Sequence, residues 1–171
     1  MEKKMEKHIE VGVDQFTMVL QPTNKNFNFD DWRSIIAPQI IEEFIHQSKM
    51  TQLFNGFDKA DVRIPDGYNI GYSFNNSPFY FCIAYHEAFY KMGIIVKFSA
   101  YSWEEYRKRY ELMFNTSIHI HTFFRLIESD MYDYRLSRID PCVDFFNYNI
   151  NIAQLKRSLE AGRTEIRYGK Y

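Results

Sequence analysis

Cysteine is all but missing from this sequence: Cys82 and Cys142 are the only two among 171 residues. Neither sits in a metal-ligand spacing, and two thiols do not make a disulfide framework, so both are expected as small buried hydrophobes. Long hydrophobic runs are also missing. No window approaches the apolar length that spans a bilayer. The N-terminal MEKKMEKH lacks the apolar core of a signal peptide, which points to a cytoplasmic protein. Glycine-rich phosphate loops are absent, since Gly67 and Gly71 read as turn and strand glycines with no helix opening behind them. An excess of one charge is lacking too. Lys plus Arg number 21 and Asp plus Glu 22, for a formal charge of −1. That balance excludes a protein that coats nucleic acid by bulk electrostatics, because such domains are strongly basic. No internal repeat and no low-complexity segment interrupts the chain.

What is present is aromatic. Phe (16) and Tyr (13) are abundant, and aromatic and β-branched residues favour strands, so a sheet-rich core is expected. The length suits one domain over residues 1–171, large enough to bury a core. Charge is placed unevenly. Lys3, Lys4, Lys7 and His8 cluster at the start, and Lys156, Arg157, Arg163, Arg167 and Lys170 near the end. A neutral protein with two basic ends can touch nucleic acid locally, or dock on a partner that already carries it.

HIEVGVDQFTMVLQP reads as a long first strand. Ile9, Val11 and Val13 alternate on one parity and Phe16, Met18 and Leu20 on the other, which calls for a bulge or a twist near Asp14 or Gln15. Asp30 or Asp31 then caps a helix in which Trp32, Ile36, Ile40 and Phe44 recur every four residues, with Ile35 and Ile41 widening the stripe. Pro38 bends or splits that helix. GYNIGYSFN, PFYFCIAYHE and GIIVKFSAY follow as three strands of an antiparallel meander, turned at Asn75–Pro78 and at Lys91-Met92-Gly93. Ser102 to Glu105 fits a capping box for a helix carrying Tyr106, Tyr110 and Met113 on one side and Arg107, Lys108 and Arg109 on the other. A second helix is expected from about Ser117 to Ser129. The long strand YDYRLSRIDPCVDFFN comes next. A helix starting at Asn149 or Asn151 bears Ile152, Leu155 and Leu159 and closes at Gly162. TEIRYGKY reads as a last strand. The fold class is α+β, a mainly antiparallel sheet with helices packed on one face.

Arg138-Ile139-Asp140-Pro141-Cys142-Val143-Asp144 is the sharpest local pattern. Alternate strand residues share a face, so Arg138, Asp140, Cys142 and Asp144 are expected to line an open face while Ile139, Val143 and Phe145 pack under helices. Asp140 and Asp144 would stand about 13 Å apart along a strand and could share a metal ion only across a bulge at Pro141. A cross-strand ion pair with Arg138 is the plainer use. Ile118-His119-Ile120-His121 looks like a His-hydrophobic-His metal signature, which needs a strand. Ile120, Phe123, Phe124 and Ile127 instead follow helical spacing, and on a helix the two imidazoles stand about 200° apart. Arg107-Lys108-Arg109 between Tyr106 and Tyr110 interleaves cations with rings, as single-strand binders do, although a solvated helix face shows the same pattern. Tyr168 and Tyr171 are possible nucleophiles, and Glu165 and Arg167 would share a strand face.

VGVDQFTMVLQP, YSFNNSPFYF, GIIVKFSAY, SWEEYRKRY and above all YDYRLSRIDPCVDFFNY together resemble the replication initiation factor family, rolling-circle initiators and related relaxases of Gram-positive plasmids and integrative elements. The resemblance covers most of this chain but the first half of such a protein. It implies an initiator-like fold and a nicking domain that uses a divalent metal, Mg or Mn, and a catalytic tyrosine. It places Arg138, Asp140 and Asp144 in the catalytic strand, with Asp140 as metal ligand and Arg138 near phosphate. Lys3, Lys4, Lys7, His8, Arg107, Arg109, Arg163 and Arg167 become the nucleic-acid contacts. The family pattern continues past the equivalent of RTEIRYGKY to further acids and the nucleophilic tyrosine, so no tyrosine here takes that role. A shortened initiator-like domain is also similar to small anti-CRISPR proteins of mobile elements, which act on Cas9 and its guide RNA by blocking loading or causing guide cleavage. Cleavage would use a metal at Asp140, or a base such as His8 acting on a ribose 2′-hydroxyl. The partner expected first is therefore Cas9 with its guide RNA, and otherwise the DNA of the element, with a nicking or origin-binding role.

Overall fold

The structure is a computed structural model, and it describes residues 6–54, 57–59 (backbone), 63–74 and 79–163. Six strands form one sheet in the order β2-β3-β4-β5-β1-β6. They are β1 His8–Pro22, β2 Phe57–Lys59, β3 Ile70–Phe74, β4 Phe81–Tyr85, β5 Ile94–Phe98 and β6 Tyr132–Phe146. The ladders β2–β3, β3–β4, β4–β5 and β5–β1 are all antiparallel. Contacts between β1 and β6 pair Thr17 with Ser137 and Gln15 with Asp140. Partners rise along β1 as they fall along β6, which makes this pair antiparallel as well. The chain divides into two compact units, Gly12–Cys142 and a smaller one made of the stretches up to Val11 and from Val143 onward.

In the larger unit one sheet face carries the core. Phe16, Met18 and Leu20 of β1, Phe81 and Ile83 of β4, and Ile94, Val96 and Phe98 of β5 are buried there. The helices that cover this face are α2 Ala37–Gln47, α3 Met50–Leu53, α4 Ala100–Phe114 and α5 Ile120–Leu126. They contribute Phe44, Met50, Trp103, Tyr106 and Phe123 to the same cluster. Phe16 and Phe98 stack at 4.7 Å, and Trp103 and Phe123 meet both edge-on. Edge-to-face aromatic packing of this kind adds about 0.5–1.5 kcal/mol per pair beyond burial. It is what the excess of Phe in the sequence provides. Val13 packs against the same core although it is odd-numbered and Phe16 even-numbered, but Ile9 and Val11, expected on the same face as Val13, are 50% and 78% exposed.

The helix starts depart from the sequence reading in instructive ways. Asn28, not Asp30 or Asp31, caps the first helical stretch. Its Oδ1 accepts from Asp31 N–H, and the Asp31 carboxylate accepts from Asn28 N–H. A single turn, α1 Phe29–Asp31, leads into a π-helical turn at Trp32–Ile36 and then α2. Ala37 N–H donates to Trp32 C=O, five residues back. Pro38 has no N–H to give and its ring crowds the carbonyl four residues earlier. The wider turn resolves both problems and turns Ile35 out to solvent, 47% exposed. Ser99, not Ser102, caps α4, its Oγ accepting from Ser102 N–H. Ser102 is buried instead. Met113 is exposed rather than lining the core with Tyr106. The short β2 has no sequence signal at all. The turn at 75–78 and the strand expected in 164–171 lie outside the described residues.

In the smaller unit, α6 Ile152–Glu160 begins at Asn151, whose Oδ1 accepts from Gln154 N–H. Gly162, at φ +67°, closes it with N–H donated to Leu159 C=O. None of the α6 residues is buried. Among the described residues, no helix is long and apolar enough to cross a membrane.

Candidate nucleic-acid interface

The Arg138 and Asp140 side chains meet, as two residues apart on one strand can. Arg138 Nε donates to Asp140 Oδ1 at 2.8 Å and Nη2 to Oδ2 at 2.6 Å. Gln15 Nε2 on β1 donates to the same Oδ2 at 2.6 Å. The Arg138 hydrogen bonds, and then the one from Gln15, hold the Asp140 carboxyl well below its usual value, at about 2. A carboxylate fixed in that state is a poor general base at neutral pH. Both of its oxygens are already taken by donors.

A divalent ion at Asp140 would therefore have to share the carboxylate with Arg138 and Gln15, beside the guanidinium's positive charge. Among the described residues, no group of three or more His, Cys, Asp or Glu side chains gathers where one could hold a metal ion. The described residues do not fit a resident metal. Asp144 lies on the same strand but in the smaller unit, where it is exposed.

The apolar partners on β6 are a correction. Ile139, Val143 and Phe145 do not pack under helices; they are 42%, 50% and 51% exposed. The residues of β6 that reach the core are Tyr132 and Tyr134, on the even parity that Arg138 and Asp140 continue. Tyr132 is buried with its hydroxyl donated to Ile127 C=O at 2.6 Å. Cys142 is only half-buried, whereas Cys82 is buried and its thiol is pushed up to about 11 by that burial. A β-carbon on Gly12 would stand 3.5 Å from the Cys142 sulfur.

The histidine pair is helical on one side only. His119 is extended and caps α5, and His121 is inside it. Their rings stack in parallel with centroids 5.9 Å apart, not on opposite sides as a helix through both would place them. The apolar spacing held: Phe123 and Ile127 are buried, and Ile120 and Phe124 pack beside them.

The basic candidates separate into engaged and free groups. Arg109 donates to Glu105 at 2.8 Å and to Leu53 C=O at 3.1 Å, and its guanidinium lies 4.6 Å from the Phe54 ring. Lys108 pairs with Glu104 at 2.7 Å. Arg107 is exposed and makes no ion pair among the described residues. In the smaller unit, His8 stacks on Phe146 at 4.4 Å with Nε2 3.3 Å from Glu10. Lys7 lies 5.4 Å over the Tyr148 ring, and Arg163 is exposed. Lys3, Lys4, Arg167, Glu165, Tyr168 and Tyr171 lie outside the described residues.

Sequence reasoning missed the clefts. Two are acidic, one bordered by Glu42, Glu43 and His46, the other by Glu43, Glu128 and Asp130. A third, of about 360 Å³, is walled by Phe27 and Tyr90 with Lys25 and Lys91 at its rim. The signal available for it was Phe89-Tyr90, two rings just before the turn at Lys91-Met92-Gly93.

No family model matches this chain, and no curated protein matches it. A solved structure does: the rolling circle replication initiator protein from Geobacillus stearothermophilus, at 20% identity and a TM-score of 0.60. The match covers 95% of this chain and 54% of that one, so the chain spans about half the length of the initiator it resembles. The likeness is one of fold. This α+β architecture is similar to that of the initiator over nearly the whole chain.

Proposed function

We propose that this chain is a nucleic-acid-binding domain of the replication-initiator type, serving a mobile genetic element through contact with the element's DNA. The observation that carries the reading is the match of nearly the whole chain to an initiator fold. Free cations on the larger unit, Arg107 among them, supply local phosphate contacts that a net charge of −1 does not forbid. Binding is the part of initiator chemistry that the described side chains support best, because Asp140 is engaged by Arg138 and Gln15 and no metal-holding group of three acids, histidines or cysteines gathers among the described residues. The test is a gel-shift series with hairpin and single-stranded DNA, followed by incubation with supercoiled plasmid in magnesium or manganese. Retarded DNA with plasmid left supercoiled is expected. Failure to shift any DNA removes the reading, and open-circular product would make the chain a nicking enzyme.

Cas9 and its guide RNA form the second reading. The near-neutral charge favours it, since a partner that is itself a protein–RNA complex needs no long-range attraction. Labelled guide RNA, with and without Cas9, separates the two. A shortened or displaced guide supports this reading, and intact guide with intact Cas9 cleavage disposes of it.

A further inference from the structure

The cleft between the end of β1 and the 3₁₀ turn Tyr90–Met92 carries a ligand chemistry that the strand at Arg138 does not. It measures about 360 Å³, within the roughly 300–1,000 Å³ of small-ligand sites. Phe27 forms one wall, half-buried and stacked 5.9 Å from Trp32. Tyr90 meets it edge-on at 5.4 Å and keeps 39% of its surface in solvent. Phe89, next in the chain, is 60% exposed, its ring 4.4 Å from His86. An exposed ring face offers a platform on which a base can stack. Lys25 and Lys91 border the same space, and neither makes an ion pair among the described residues. Asp133, at the start of β6, adds one acceptor.

The walls are held in place without a ligand. Gln21 Nε2 donates to Lys91 C=O at 3.2 Å. Met92 and Gly93 N–H groups donate to Phe89 and Tyr90 carbonyls at 3.0 Å each, closing the turn. Thr23 ties the segment leaving β1 to the start of β6, with N–H to Met131 C=O at 3.1 Å and Oγ1 to Asp130 C=O at 2.6 Å. Pre-set walls reduce the ordering cost of binding.

From these contacts we infer that the cleft is a subsite for one nucleotide of a single strand. The base stacks on the Tyr90 ring, its phosphates lie toward Lys25 and Lys91, and Asp133 accepts from a base N–H. A duplex is excluded because its bases are already stacked and cannot present a face. One carboxylate with two lysines also disfavours a cation. This inference rests on the nucleic-acid reading above and adds to it a place and a strandedness.

The experiment uses fluorescence anisotropy with labelled dodecamers of deoxythymidylate, deoxycytidylate and uridylate, and a blunt duplex as control. Wild type is compared with Tyr90→Ala, with Lys25→Gln/Lys91→Gln, and with Tyr90→Trp. Circular dichroism melting confirms that each variant is folded. Loss of one stacked base is expected to weaken single-strand binding about tenfold in Tyr90→Ala. The double lysine variant is expected to flatten the salt dependence of log Kd by about 1.4, two phosphate contacts at about 0.7 each. Tyr90→Trp keeps affinity and gives an indole emission that the dodecamer quenches. Wild type that binds single strands while all variants match it within twofold, with no quenching, overturns the subsite and leaves the domain-level reading standing. Wild type that binds no single strand overturns both. Relative affinity for the deoxy and ribo dodecamers then separates DNA from RNA as the source of the nucleotide.

Discussion

Replacing Gly93 by alanine should be the most damaging single-methyl change in the larger unit. Gly93 sits at φ 73° and ψ −163°, a region essentially reserved for glycine that costs other residues of order 1–3 kcal/mol. The new β-carbon would also lie 2.5 Å from Leu20 C=O, 2.5 Å from Gln21 Nε2 and 2.8 Å from Val19 Cγ1. Gln21's amide can swing away. Leu20's carbonyl cannot, because Leu20 is in register with Ile94 across the β1–β5 ladder. Overpacking of this kind adds about 1–3 kcal/mol, for a total near 2–6 kcal/mol against a typical stability of about 5–15 kcal/mol. At about 2–4 °C per kcal/mol for a chain of this size, Tm should fall by roughly 5–20 °C. Gly162→Ala is the control. Its φ is also positive, +67°, but nothing lies within 4 Å of the added carbon. Only the left-handed backbone term of about 1–2 kcal/mol applies there. Thermal and urea unfolding followed by circular dichroism measure both. If Gly93→Ala is no more destabilised than Gly162→Ala, the close approach of the turn to β1 is wrong.

Tyr106→Phe removes the buried hydroxyl that donates to Ser48 C=O at 2.7 Å; urea unfolding should show a loss of about 1–3 kcal/mol with an unchanged m-value. Asp140 should titrate near pH 2 by carbon-detected NMR, and Gln15→Leu should move its midpoint upward. Its folded value lies below the unfolded one near 3.9, so its contribution to stability is present above about pH 4 and fades as pH falls toward 2. Arg109→Ala should lower the unfolding free energy by about 1–2 kcal/mol, and Tm with it, through loss of its contacts to Phe54, Leu53 and Glu105. Arg107→Ala should leave Tm unchanged and weaken nucleic-acid binding, a contrast read by melting and gel shift together.

Periodicity located the elements that bury one clear face. The β3–β5 meander and the Ile120–Ile127 spacing were legible because a slip of one residue would expose an entire apolar set. Where a side chain competes with that rule, the sequence misled. Three polar candidates within four positions made Asn28 and Asp30 hard to separate as a helix cap, and Ser99 and Ser102 posed the same problem. Ile139, Val143 and Phe145 looked buried because they are apolar and alternate. The parity that reaches the core is instead set upstream by Tyr132 and Tyr134, which pack on the Phe123 side of the sheet. Apolar alternation marks a strand, but it does not say which face a neighbouring helix covers.

The same distinction governs charge. Composition sees 21 cations against 22 anions and reports neutrality. The structure sorts them by partner. Arg33 is matched with Asp30, Lys108 with Glu104, Arg109 with Glu105, Arg138 with Asp140 and Lys156 with Glu160. Exposed pairs of this sort are worth little to stability, but each one withdraws a cation from long-range attraction. Lys25, Lys91 and Arg107 are among the described cations that make no ion pair, and the first two border an aromatic-walled cleft. The acids collect elsewhere, around Glu42, Glu43, Glu128 and Asp130. A phosphate chain approaching such a surface gains nothing from net charge and is guided by which cations are free. Under the proposed nucleic-acid reading, contact is a question of pairing within the fold, and substitutions that release a paired cation, such as Glu104→Gln, should strengthen binding without adding any positive residue.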